Sequence, residues 1–69
     1  MNKKISLAAA RINAGFTQKE MAKRLGISMP TYAGYERGKS IMRVDTAKKF
    51  SDVVKMPQQD IIFFDSKLH

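Results

Sequence analysis

The sequence has no cysteine, and its single histidine is the last of 69 residues. Without thiols there is no disulfide framework and no thiolate zinc site, and the chain suits a reducing compartment. One terminal histidine leaves nothing from which to build a Ser/His triad or a multi-histidine metal centre, so neither catalysis nor a metal or cofactor is expected. Long hydrophobic runs are missing too. The nearest approach, Ile5 to Ala10 behind Lys3-Lys4, imitates a signal peptide but is interrupted by Arg11 and Asn13. It falls short of the ~7–15 apolar residues of a signal sequence and far short of the ~18 of a bilayer span. A cytoplasmic protein without a membrane segment is the expectation.

Acidic groups are scarce: six Asp and Glu stand against thirteen Lys and Arg, a formal charge of +7 with a pI near 10.1. The excess is unevenly placed. Residues 1–43 hold nine basic and two acidic side chains, whereas residues 44–69 hold four of each. A basic balance confined to one part of the chain points to a face for a polyanion, nucleic acid or anionic lipid, rather than to general solubility. Lipid is the poorer fit, because the basic residues do not form a sustained polar face opposite a large apolar one. The remaining composition, 43% apolar and 28% charged, is that of a small globular domain with one core. The expected organisation is one domain over residues 1–64 and a flexible tail over 65–69, with no room for an effector domain or small-molecule ligand.

No stretch alternates with period two for long enough to indicate a strand. Apolar residues recur instead at helical spacing between glycines and capping residues. A first helix is expected over about Lys4–Ala14, with Leu7, Ala10 and Ala14 facing inward and Gly15 ending it. Thr17-x-x-Glu20 is a capping box that starts a second helix over Gln18–Leu25, and Phe16 and Met21 stand at the spacing of a hydrophobic staple. Gly26 allows a tight turn to Ser28, the N-cap of a third helix over Met29–Arg37 with Pro30 in its first turn, and Gly38 ends it. A fourth helix spans about Val44–Lys55, with Val44, Ala47, Phe50 and Val54 as its apolar stripe. A fifth is expected over Pro57–Phe64. The fold class is all-α, a compact five-helix domain with a helix-turn-helix made by helices 2 and 3.

Residues 11–39, RINAGFTQKEMAKRLGISMPTYAGYERGK, resemble the helix-turn-helix core of the lambda repressor and Cro (XRE) family of DNA-binding regulators. The positions that carry the likeness are Arg11, Gly15, Thr17-Gln18, Glu20, Ala22, Leu25-Gly26, Ser28, Thr31-Tyr32, Tyr35-Glu36 and Gly38-Lys39, and it extends more loosely through Phe64. Met21, Leu25, Ile27, Tyr32 and Tyr35 are spaced as the seam beneath the motif, where Ala22 must be small for two helices to cross. The resemblance implies an ion pair between Arg11 and Glu36 that sets the angle of the third helix. It also implies a phosphate contact from Gln18 at the start of the second helix, with Arg37, Lys39, Ser40 and Arg43 gripping the DNA backbone beside the groove. Lys19, Lys23 and Arg24 are read as solvated or as lying near DNA only at a distance.

The recognition helix departs from the family pattern. Its base-reading residues would be Ser28, Met29, Pro30, Thr31 and Gly34, but Met29, Pro30 and Gly34 cannot make the side-chain hydrogen bonds that Gln, Asn or Arg make to base edges. Several arrangements stay open. Met29 and Pro30 contact thymine methyls; Gly34 lets the helix sit deeper; Ser28, Thr31 and Arg37 carry a polar readout; or DNA shape supplies most of the discrimination. Ile61, Ile62, Phe63 and Phe64 exceed what one face of a short helix can bury, so part of the run is expected to close the core and part to form a dimer contact. The implied function is a sequence-specific transcriptional regulator, a Cro-like or immunity repressor of bacterial or phage type. It would bind double-stranded DNA as a homodimer on a short palindromic operator. The alternative is an antitoxin-type module that binds a partner protein through Ile62, Phe63 or Phe64, and DNA only secondarily.

Overall fold

A computed structural model of the chain describes residues 4–63, so Phe64 and the expected 65–69 tail lie outside the described residues. Four helices form: α1 (Leu7–Asn13), α2 (Gln18–Leu25), α3 (Met29–Glu36) and α4 (Val44–Val54). Two short strands, β1 (Ile5–Ser6) and β2 (Ile61–Ile62), lie parallel in the register Ile5 to Ile61 and Ser6 to Ile62.

The helix starts are local chemistry. Ser6, Thr17 and Ser28 each cap a helix, their hydroxyls accepting the amides of Ala9, Glu20 and Thr31 at 3.0, 3.0 and 3.2 Å. At Thr17 the box closes, because Glu20 Oε1 accepts the Thr17 amide at 2.8 Å. The ends are as regular. After α2, Gly26 (φ +73°) lets its own amide reach the Lys23 carbonyl while the Ile27 amide reaches that of Ala22. This is the paired bonding of a Schellman end, available at no steric cost only to a residue lacking Cβ. Lys55 ends α4 in the same left-handed region at φ +58°, a non-glycine stop two residues ahead of Pro57.

Two elements differ from expectation. The first helix starts at Leu7, not Lys4, because Ser6 caps it and Ile5–Ser6 are drawn into the strand pair. The expected fifth helix over Pro57–Phe64 does not form: one 3₁₀ turn, Gln58–Asp60, is followed by β2. Among the described residues the all-α, five-helix reading is therefore corrected to four α-helices and a small parallel strand pair. The cause is non-local, since the Ile61-Ile62 backbone finds partners on β1 at the opposite end of the described chain.

The core gathers Leu7, Ala10, Met21, Ala22, Leu25, Tyr32, Met42, Ala47, Phe50, Val54 and Ile61. Tyr32 stacks on Phe50 with ring centroids 6.3 Å apart, and Phe63 meets Phe50 edge-on at 6.0 Å. The α4 stripe is shorter than its spacing implies, because Val44 stands 85% exposed at the first turn. Of the four-residue run divided between core and dimer contact, Ile61 is a core residue, Phe63 packs against the core and Ile62 is exposed.

Candidate nucleic-acid interface

The Glu36 carboxylate, at the last turn of α3, is the polar centre of the motif. Arg11, reaching across from α1, donates to it from Nε at 2.7 Å and from Nη2 at 3.3 Å. Gln18, the first residue of α2, donates from Nε2 at 2.9 Å, and the Tyr32 hydroxyl donates from one turn back on α3. The remaining Arg11 nitrogen, Nη1, donates to the Phe16 carbonyl at 2.8 Å, which ties the loop between α1 and α2 into the same cluster. The Arg11 and Glu36 side chains are only 13% and 7% exposed. A partly buried pair of this kind stabilises when its other lone pairs and protons are also matched, as they are here.

The electrostatics follow from that matching. Burial alone would raise the Glu36 carboxyl, but the hydrogen bonds from Arg11, Tyr32 and Gln18 outweigh it and hold the group below the usual carboxylate range. Burial, and then the carboxylate it donates to, pushes the Tyr32 phenol well above its ordinary value. Glu36 raises the Arg11 guanidinium in turn, so the pair stays charged throughout the physiological range.

Sequence reasoning paired Arg11 with Glu36 but missed Tyr32 and Gln18 as further donors to the same carboxylate. The Tyr32–Glu36 spacing of four on one helix was a usable signal. Nothing local announced Gln18, which lies 18 residues from its partner. Its amide, expected to face a phosphate, is half-buried and turned toward the end of α3, where one N–H is engaged.

The other assigned residues fall into two groups. Arg37, Lys39, Ser40 and Arg43 are exposed in the segment that leaves α3. Arg43 lies 3.6 Å from Asp45 in a pair whose side chains are 81% and 75% exposed, a contact of small energetic weight. Among the described residues, Arg37 and Lys39 make no ion pair. Ser28, Met29, Pro30 and Thr31 are exposed at the start of α3. Gly34 is buried instead: a Cβ there would sit 3.8 Å from Ser40 Oγ and 3.9 Å from Lys39 Cβ, beneath the segment that follows the helix. The paired bonds that end α3 (Lys39 N–H to the Gly34 carbonyl, Gly38 N–H to that of Tyr35) fold the chain back over this recognition-helix position.

Away from this face, Arg24 lies over the Phe16 ring, 4.8 Å from its centroid, and so is not simply solvated. No helix among the described residues is long and apolar enough to cross a membrane.

Two short capped helices joined at a left-handed glycine, with the second locked at its far end and exposed at its near one, are the anatomy of a helix-turn-helix. The helix-turn-helix family model matches residues 7–57, most of the chain. This protein belongs to that family, of the lambda-repressor type, and its class is therefore that of the DNA-binding transcriptional regulators. No curated protein and no solved structure matches the chain.

Proposed function

We propose that this chain is a sequence-specific, Cro-like repressor of bacterial or phage type that binds a short palindromic operator as a homodimer. Repression is by occupancy: α3 enters the major groove, and flanking contacts fix its register. The observation that carries this reading is the cluster at Glu36. It holds the far end of α3 against α1 and α2 through side chains alone, while the basic residues Arg37, Lys39 and Arg43 stand exposed beside it. Those cations, with Ser40 and the outer N–H of Gln18, are assigned to DNA phosphates. Dimerisation follows from geometry, since one motif covers only a half-site. Ile62 is the residue of the 61–64 run that remains for that contact among the described residues. The domain is taken to span residues 1–64.

The antitoxin-type reading has less to stand on. It needs Ile62, Phe63 or Phe64 as a partner surface, and Phe63 packs against the core.

Binding to duplex DNA measured across a salt series tests the proposal. Three cations in each of two subunits make about six charged phosphate contacts, for a log–log slope of about −5. A slope near zero with binding intact would remove the electrostatic footprint from the argument.

A further inference from the structure

The start of α3 offers DNA an unusual surface. At 3.6 residues per turn, Pro30, Ala33, Gly34 and Arg37 share its outer stripe, flanked by Met29. Pro30 and Met29 are exposed, the latter at 44%. Ala33 is buried but stands outside the core cluster, and Gly34 lies under Lys39 and Ser40. The middle of the stripe therefore has no side chain with reach.

The two hydroxyls nearby are engaged with each other. Ser28 Oγ accepts the Thr31 amide at 3.2 Å and donates its proton to Thr31 Oγ1 at 2.8 Å. Only the Thr31 proton is left to donate outward, and neither hydroxyl has the fixed donor–acceptor fork that Gln, Asn or Arg lays on a base edge. Arg37 caps the far end of the helix, two turns from Met29 and among the cations assigned to phosphate. What the leading turn presents is carbon and sulfur: the Met29 thioether, the Pro30 ring and the Thr31 methyl.

We infer that α3 reads its half-site through the C5-methyl groups of pyrimidines, with Met29 and Pro30 as the specificity-determining residues. This rests on the operator-binding reading above. The methyl of thymine is the one apolar feature that base pairs present in the major groove. A flat, apolar leading turn can approach it closely, and the basic residues beyond Arg37 supply the affinity that the bases do not.

The test begins with selection of a preferred site from random duplexes by the purified protein. Each thymine of that site is then replaced by deoxyuridine, which removes the methyl and leaves every hydrogen-bonding group in place. At contacted positions the loss is expected to be about fourfold per methyl, the effect of exposing one buried carbon. Replacing the same T·A pair by 5-methylcytosine·G keeps the methyl while changing the hydrogen-bonding edge, and should bind more tightly than cytosine·G by a similar factor. In the Met29→Ala/Pro30→Ala double variant, whose fold is checked by its melting curve, the thymine-to-deoxyuridine ratio should fall to near one. Equal binding of the thymine and deoxyuridine sites would overturn the inference while leaving operator binding intact. So would a double variant that folds and still discriminates between them. Duplex binding with no selected sequence would overturn base reading by α3, and failure to bind any duplex would overturn the operator-binding reading as well.

Discussion

The helix-turn-helix and the segment that closes the core behind it are built on different principles. In α2 and α3, each boundary is made by residues within a few positions of one another: Thr17 with Glu20, Gly26 with Lys23, Ile27 with Ala22, Ser28 with Thr31, Gly38 with Tyr35 and Lys39 with Gly34. After the 3₁₀ turn, residues 61–63 have no such instructions, and their shape is decided by what lies across from them, with Ile61-Ile62 pairing with Ile5-Ser6 and Phe63 against Phe50. The charge divides earlier in the chain, at the start of α4: +7 over residues 1–43 and zero over residues 44–69. The difference teaches that the part which meets a polyanion is locally encoded and outwardly charged. The part that holds it together is neutral and assembled by distant contacts.

The sharpest way to break this contrast is at adjacent isoleucines. Ile61→Ala should cost about 2–5 kcal/mol, since the side chain is 4% exposed within the core, whereas Ile62→Ala should cost under about 1 kcal/mol. Urea melts of the two variants decide it, and equal losses would mean that the 61–62 strand does not turn alternate faces inward. Arg11→Ala comes next. It strips the Glu36 carboxylate of its counter-charge in a site little exposed to water, and about 1–3 kcal/mol of stability should go with it, together with DNA affinity. A variant that melts like the parent would reduce the cluster to a surface pairing.

The helix boundaries of α2 and α3 were readable from sequence to within a residue, because a cap is an i-to-i+3 hydrogen bond and both partners lie in one short window. The strand pair was not. Two residues cannot show a period, and apolar Ile61-Ile62 after a proline suits a helix as well as a strand until a partner is known. The candidate site was legible in half. Arg11 and Glu36 were identified by resemblance, but the inward turn of Gln18 depends on a carboxylate 18 residues away, and the covering of Gly34 on the path of the chain after α3.

A pH series sharpens the polar side of the comparison. The folded Glu36 carboxyl lies below its ordinary value, so its stabilisation is complete above the unfolded value of about 4.3 and is lost as pH falls through the folded one. The Glu20 carboxyl, lowered chiefly by the Thr17 amide, acts in the same direction. Melts of the parent and of Glu36→Gln from neutral pH downward should therefore converge in acid, with the variant the less stable at neutral pH and the flatter in its response. Parallel curves would place the acid sensitivity elsewhere. The smallest effect is a gain: Gly34→Ala should stabilise by about 0.5–1 kcal/mol, since the added methyl meets only ordinary contacts at 3.8 and 3.9 Å and helix interiors favour alanine. A loss on thermal melting would mean that the chain over Gly34 packs too closely to admit it.

By itself the sequence determined where α2 and α3 begin and end, which residues enter the seam between them, and the sign and location of the charge. All of these depend on neighbours in the chain or on composition. Tertiary structure alone decided that the last described residues pair as a strand, that Gln18 joins Arg11 and Tyr32 on one carboxylate, and that Gly34 is covered while Met29 and Pro30 stand open. The physical reason is range. A cap or a left-handed turn is complete within a few residues, but a buried carboxylate or an unpaired strand backbone must find its partners wherever the fold brings them.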